Sequence, residues 1–155
     1  MNHKPPIFIG ADHAGWELKQ AIKKYFFDSG YDVTDFGNLD LDPNDDYPDF
    51  ALAVAQNVAA VENARGFLFC GSAQGMVMCA NKVKGIRAAL GWSINAARSS
   101  RRHNDANILC LPARDLALSL ARQIVDLWLF TPKSSEERHA RRVQKIAEYE
   151  AQQTN

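Results

Sequence analysis

The sequence predicts a single doubly wound α/β domain, built on a five-stranded parallel sheet and closed by a C-terminal helix. Three observations carry this expectation: five short strand-like runs, the second of them alternating, helical patterning between them, and polar glycine-bearing turns after the first and third runs. Strands that alternate with helices form βαβ units, and such strands lie parallel with both faces covered. At 155 residues, one domain spanning 1–155 can bury a core without staples.

Ile7-Phe8-Ile9-Gly10 reads as the first buried strand, followed by the turn Ala11-Asp12-His13-Ala14-Gly15. Leu18, Ile22, Tyr25 and Phe26 then recur at helical spacing. Residues 31–36 alternate as a second strand, residues 40–48 form an acidic loop, and residues 50–61 form a second helix. Residues 66–70 are a third strand that enters Gly71-Ser72-Ala73-Gln74-Gly75, and the helix after it ends near Lys84-Gly85. Residues 86–90 and 107–111 are two further strands, and the helix between them ends in Arg101-Arg102-His103-Asn104-Asp105. Residues 116–129 make a long apolar helix, broken by Thr131-Pro132, and residues 136–151 make a charged amphipathic final helix. Neither repeat nor linker interrupts this order, so the expected architecture is Rossmann-like.

Composition narrows the function classes. Lys+Arg and Asp+Glu both number 18, so bulk charge gives no reason to expect a nucleic-acid or membrane partner. No apolar stretch is long enough to span a bilayer, and the start lacks the pattern of a secretory signal. Cys70, Cys79 and Cys110 are odd in number and show no CxxC spacing, which argues against a disulfide framework and a structural zinc site. His3, His13, His103 and His139 show no metal-site spacing either. A cytoplasmic protein without metal or cofactor is expected.

Ligands of open parallel sheets bind beyond the carboxyl ends of the strands. Asp12 and His13 follow the first strand, residues 70–75 the third, and Arg114 the fifth, whereas His103 and Asn104 precede a strand. The segment Cys70 to Gly75 is the most informative. Its glycines allow backbone N–H groups to approach a ligand, and a cysteine before a helix N-terminus can have a depressed pKa and act as base or nucleophile. A tight turn over a buried, inert cysteine fits the position equally well. A phosphatase-like loop would need arginine where Met76 stands, so that chemistry is excluded. Asp12-His13 is either an anion contact or a turn pair, and Arg138 with Arg142, four apart, either grips a phosphate or forms a solvated face.

The joint order of several motifs resembles the ribose-5-phosphate isomerase type B family, which also holds the galactose-6-phosphate isomerase subunits. The matching pieces are Gly10-Ala11-Asp12-His13-Ala14-Gly15, Asp46-Tyr47-Pro48, Cys70-Gly71-Ser72 with Gly75, and Ala80-Asn81-Lys82. Gly85-Ile86-Arg87-Ala88, Arg102 to Asn107, Arg114, and Arg138-His139 with Arg142-Val143 complete them. The resemblance implies metal-independent aldose–ketose isomerisation through a cis-enediolate, with ribose 5-phosphate and ribulose 5-phosphate as the preferred pair. It implies Cys70 as base, with the amides from Gly71 to Gly75 on the enediolate oxygen and Ser72 moving protons between oxygens. It further implies ring opening by His103, sugar hydroxyls held by Asp12, Tyr47 and Asn104, and phosphate held by His13, Arg114, Arg138 and Arg142. The family builds its site between two subunits, so a homodimer is implied, with a tetramer left open.

Two positions depart from the family pattern. Ala73 replaces a usual glycine and Pro112 stands where glycine is common; the methyl at 73 is expected to alter the loop or narrow the pocket. Allose, galactose or tetrose phosphates remain alternative substrates, as does a subunit that needs a paralogous partner. A phosphate- or nucleotide-binding module using residues 98–102 and 138–145 is the alternative from another class. The zero net charge and the absence of interleaved aromatics weigh against that module.

Overall fold

The computed structural model describes residues 4–153, so His3 lies outside the described residues. Five strands are present: β1 (Ile7–Ala11), β2 (Val33–Asp35), β3 (Arg65–Cys70), β4 (Ala88–Leu90) and β5 (Ile108–Pro112). All pair in parallel, in the order β2-β1-β3-β5-β4. The helices are α1 (Trp16–Asp28), α2 (Tyr47–Ala60), α3 (Gln74–Ala80), α4 (Ile94–Asn104), α5 (Leu118–Phe130) and α6 (Glu137–Gln152).

Period-two alternation along the strands divides the core into two layers. Ile7, Ile9, Phe67, Phe69, Leu109 and Leu111 pack with Ile22, Phe26, Ala97, Ile124 and Trp128 on the side of α1, α4 and α5. Phe8, Leu68, Ile108 and Cys110 pack with Val54, Val58, Met76 and Ala80 on the side of α2 and α3. Strands buried on both faces explain why the three central runs are continuously apolar rather than alternating.

The expected five-stranded parallel sheet is present, and the element limits differ in instructive ways. The second strand shrinks from residues 31–36 to Val33–Asp35 and the fourth from 86–90 to Ala88–Leu90. Both are edge strands, paired along one side only, so fewer ladder bonds sustain them. The second helix starts at Tyr47 rather than Phe50 because Pro48 occupies its first turn, where a missing N–H costs nothing and φ is already helical. Lys19 is fully buried beside the apolar stripe of α1. Its Nζ lies 3.0 Å from Asp35 and donates to the Asn38 carbonyl at 3.1 Å, which compensates the buried charge.

Candidate active site

The carboxyl ends of β1, β3 and β5 converge on one cluster. Asp12, buried just past β1, holds its turn by accepting the Gly15 N–H on Oδ1 at 3.1 Å. A Cβ on Gly15 would sit 2.2 Å from the carbonyl group of Phe69, so only glycine lets this turn press against β3. The other carboxylate oxygen, Oδ2, accepts the Cys70 thiol at 3.0 Å. Beyond β5, the Ala113 N–H donates to the Cys70 carbonyl at 2.8 Å and the Arg114 N–H to that of Gly71 at 3.2 Å. This stitches Arg114 to the cysteine loop, and a Cβ on Gly71 would lie 2.7 Å from its guanidinium carbon. A Cβ on Gly75 would meet the Tyr47 ring at 2.5 Å, so Tyr47 walls the far end of the loop. Ser72 is exposed at the mouth, its Oγ accepting from the Gln74 N–H at 3.4 Å.

The surroundings of Cys70 separate the two readings its position allows. Its thiol is raised to about 11, first by burial and then by the Asp12 carboxylate, while the Gly71 and Ala73 amides pull the other way. A buried, protonated thiol is favoured over a depressed one because desolvation and a neighbouring anion both penalise thiolate more than two amides favour it. Cys110 is fully buried and Cys79 partly so, and burial raises both thiols. Met76, where an arginine would make a phosphatase-like loop, is buried in the core.

His13 is exposed beside this cluster. Its Nδ1 lies 2.8 Å from Asp45 Oδ1, which also accepts the His13 backbone N–H at 2.9 Å. The hydrogen bond to Asp45 is the largest cause of a raised pKa at His13. Asp45 was invisible as an individual in the sequence, where it is one of several carboxylates in an acidic loop. Only the fold selects it. Ala73 adopts φ 59°, ψ 2° and is fully buried among Leu68, Met76 and Cys110. Its methyl therefore fills core space rather than the pocket, and the loop keeps a left-handed turn that costs a non-glycine residue about 1–2 kcal/mol. Pro112 closes β5 opposite Cys70 and is buried.

The remaining candidates form a second group at the other end of the sheet. A helix that joins two parallel strands runs antiparallel to them, so the last turn of α4 lies near the start of β5 and Cys70 lies at the far end of β3. His103 and Asn104 occupy that last turn. The His103 ring stacks on His139 of α6, with centroids 4.4 Å apart and planes at 12°. Arg138 and Arg142 flank His139 on α6, both exposed, and Arg138 Nε contacts Glu136 at 2.7 Å. Asp12, His13, Tyr47, Cys70, Gly71, Ser72, Gly75 and Arg114 thus stand together, while His103, Asn104, Arg138 and Arg142 stand apart from them. Among the described residues, no cluster of three or more His, Cys, Asp or Glu side chains could hold a metal ion. No described helix is long and apolar enough to cross a membrane.

Comparison with known proteins gives matches of one kind. Residues 7–146 match the family model described as Ribose/Galactose Isomerase. The chain is 41% identical over 144 residues to ribose-5-phosphate isomerase B of Mycobacterium tuberculosis, covering 93% of this chain and 89% of the relative. It is 44% identical over 150 residues to a probable ribose-5-phosphate isomerase B of Mycoplasma pneumoniae, covering 97% of each. The crystal structure of ribose-5-phosphate isomerase B from Mycoplasma genitalium with bound ribulose-5-phosphate superposes with a TM-score of 0.91 at 42% identity, over 96% of this chain and 97% of that one. The match in sequence and architecture over nearly the whole chain leads to one conclusion: the chain belongs to the ribose/galactose isomerase family.

Proposed function

We propose that the protein interconverts ribose 5-phosphate and ribulose 5-phosphate by moving a proton between C2 and C1, at a site shared by two copies of the chain. The observation that carries this reading is the Cys70 thiol, 3.0 Å from the Asp12 carboxylate and flanked by the Gly71 and Ala73 amides. The reaction needs a base for a carbon-bound proton and donors for the oxygen that becomes negative. With a pKa of about 11, roughly one thiol in ten thousand is ionised at pH 7. The resting cysteine is therefore neutral, and Asp12 is the nearest acceptor for its proton.

Once relieved of that proton, Cys70 takes hydrogen from C2 of the open aldose. The C1 oxygen gains the charge and meets the amides between Gly71 and Gly75. Ser72 carries a proton between the two oxygens, and return of the carbon-bound proton to C1 yields the ketose. His13 and Arg114 of one copy, with Arg138 and Arg142 of the other, hold the phosphate. Asp12, Tyr47 and Asn104 hold hydroxyls, and His103 opens the furanose.

Sharing between copies is supported by the separation of the two groups within one chain. It is supported too by exposed apolar side chains around the cysteine end, namely Leu39, Leu41, Tyr47 and Met78, which a second copy would cover. The deciding experiment is turnover by the purified protein of ribose 5-phosphate, allose 6-phosphate, galactose 6-phosphate and a tetrose 4-phosphate, with and without EDTA. Ribose 5-phosphate should give the highest kcat/KM, unchanged by EDTA. Faster turnover of another sugar would refute the substrate assignment, and loss with EDTA reversed by a divalent metal would refute the metal-free mechanism.

A further inference from the structure

We infer that His139 is a positioning residue for sugar-ring opening: its buried imidazole is the platform that fixes the plane of the His103 ring. Six observations lead there. The two rings stack at 4.4 Å and 12°, although they come from different helices. Among the described residues no hydrogen bond reaches the His103 ring nitrogens, so the stack can orient the ring while leaving both nitrogens free for proton transfer. His139 is the one buried residue of α6. Its Nε2 is buried without a hydrogen-bond partner, which disfavours a polar ring there unless the ring has another use. Burial first, and then the neighbouring His103, lower the pKa of His139, which disfavours a further cation beside Arg138 and Arg142. A cavity of 180 Å³ lined by Arg102, His103, Asp105, His139 and Val143 adjoins the pair.

The inference rests on the isomerase reading and on His103 as the ring-opening group. In that step the C1–O4 bond of the furanose breaks, its electron pair stays on O4, and His103 supplies the proton that makes O4 a hydroxyl. The C1 hydroxyl gives its own proton to solvent and becomes the aldehyde. Ring opening tolerates little misalignment, because the proton must reach O4 as the bond breaks. Ribulose 5-phosphate carries its phosphate on the oxygen that would close a furanose, so it stays open-chain. Its enzymatic exchange of a C1 hydrogen with solvent deuterium therefore uses Cys70, the loop amides and the phosphate grip, but not ring opening.

The test measures two rates in each variant: conversion of ribose 5-phosphate, and wash-in of deuterium at C1 of ribulose 5-phosphate in D2O. His139→Ala and His139→Gln should lose conversion by about tenfold or more while deuterium wash-in stays within about twofold of wild type. His139→Phe keeps a flat ring, has the adjoining cavity to accommodate it, and should retain most conversion. A parallel fall of both rates in His139→Ala would reduce His139 to a structural residue. Rescue by Gln but not by Phe would show that the nitrogen, not the ring plane, matters. Either result overturns the inference. Wild-type protein that neither converts nor exchanges would instead refute the isomerase reading beneath it.

Discussion

Mixing two inactive variants tests the shared site most directly. Cys70 and His103 lie toward opposite ends of the sheet: β3 runs from Arg65 to Cys70, a rise of about 16 Å at ~3.3 Å per residue. The last turn of α4 sits at the other end, where the Ala106 N–H bonds the Ser100 carbonyl and Gly66 pairs with Ile108. A histidine side chain spans only a fraction of that distance, which supports service of Cys70 by the His103 of a second copy. Cys70→Ala and His103→Ala homodimers should each be inactive. In a heterodimer with two shared sites, both lesions fall into one site and the other is intact. Random exchange of equal amounts makes about half of all dimers heterodimers, so roughly a quarter of sites recover under two-fold symmetry. The assay is isomerase activity after subunit exchange has been verified by mass spectrometry of differently tagged chains. Recovery should plateau near a quarter of wild type. If exchange is complete and activity stays at the level of the parents, the trans arrangement is wrong.

Four further outcomes are expected. Cys70→Ala should lower kcat by about 10²–10⁴-fold with substrate Kd nearly unchanged, whereas Cys110→Ala, deep in the core, should lower Tm and spare kcat; near-normal kcat in Cys70→Ala would remove the cysteine base. Because Asp12 is the second cause of the raised thiol after burial, Asp12→Asn should move the pH midpoint of Cys70 alkylation below about 11; an unchanged midpoint would leave burial as the whole cause. The raised pKa of His13, due first to Asp45, means that the imidazolium and its ion pair are fully present below the ordinary histidine value and lost as pH rises through the folded value. KM for the sugar phosphate should rise over that interval, and Asp45→Asn should shift the rise to lower pH; a rise at the same pH would exclude His13 as its source. Gly15→Ala puts a methyl 2.2 Å from backbone that cannot swing away, so it should cost more than about 2 kcal/mol in denaturant unfolding; a cost under half of that would show that the turn can shift off β3.

Much of the fold follows from local pattern. The runs at Ile7, Phe67 and Leu109 are continuously apolar because both sheet faces are covered, and a single run of β-branched and aromatic residues reveals that without any knowledge of partners. The strand-end rule then locates Asp12, Cys70 and Arg114 on one edge, since parallel strands all end on the same side. What sequence could not supply is any quantity that depends on neighbours distant along the chain. Whether the Cys70 thiol is depressed or raised was open in the sequence, and it is raised through burial and through Asp12, which stands 58 positions away and lies 3.0 Å from Sγ. Asp45 became the partner of His13, and His139 stacks on His103, through packing between elements whose spacing carries no such signal. Ala73 adopts a left-handed turn although it carries a Cβ, because core packing on its methyl outweighs a local backbone preference. The sequence by itself determined which residue types gather at the strand ends, and the joint order of its motifs, through the family resemblance, implied the class of chemistry. The tertiary structure decided which charges meet, in which direction each pKa moves, and that the cysteine group and the histidine group of one chain stand apart, because electrostatic and packing energies are set by distances through space rather than along the chain.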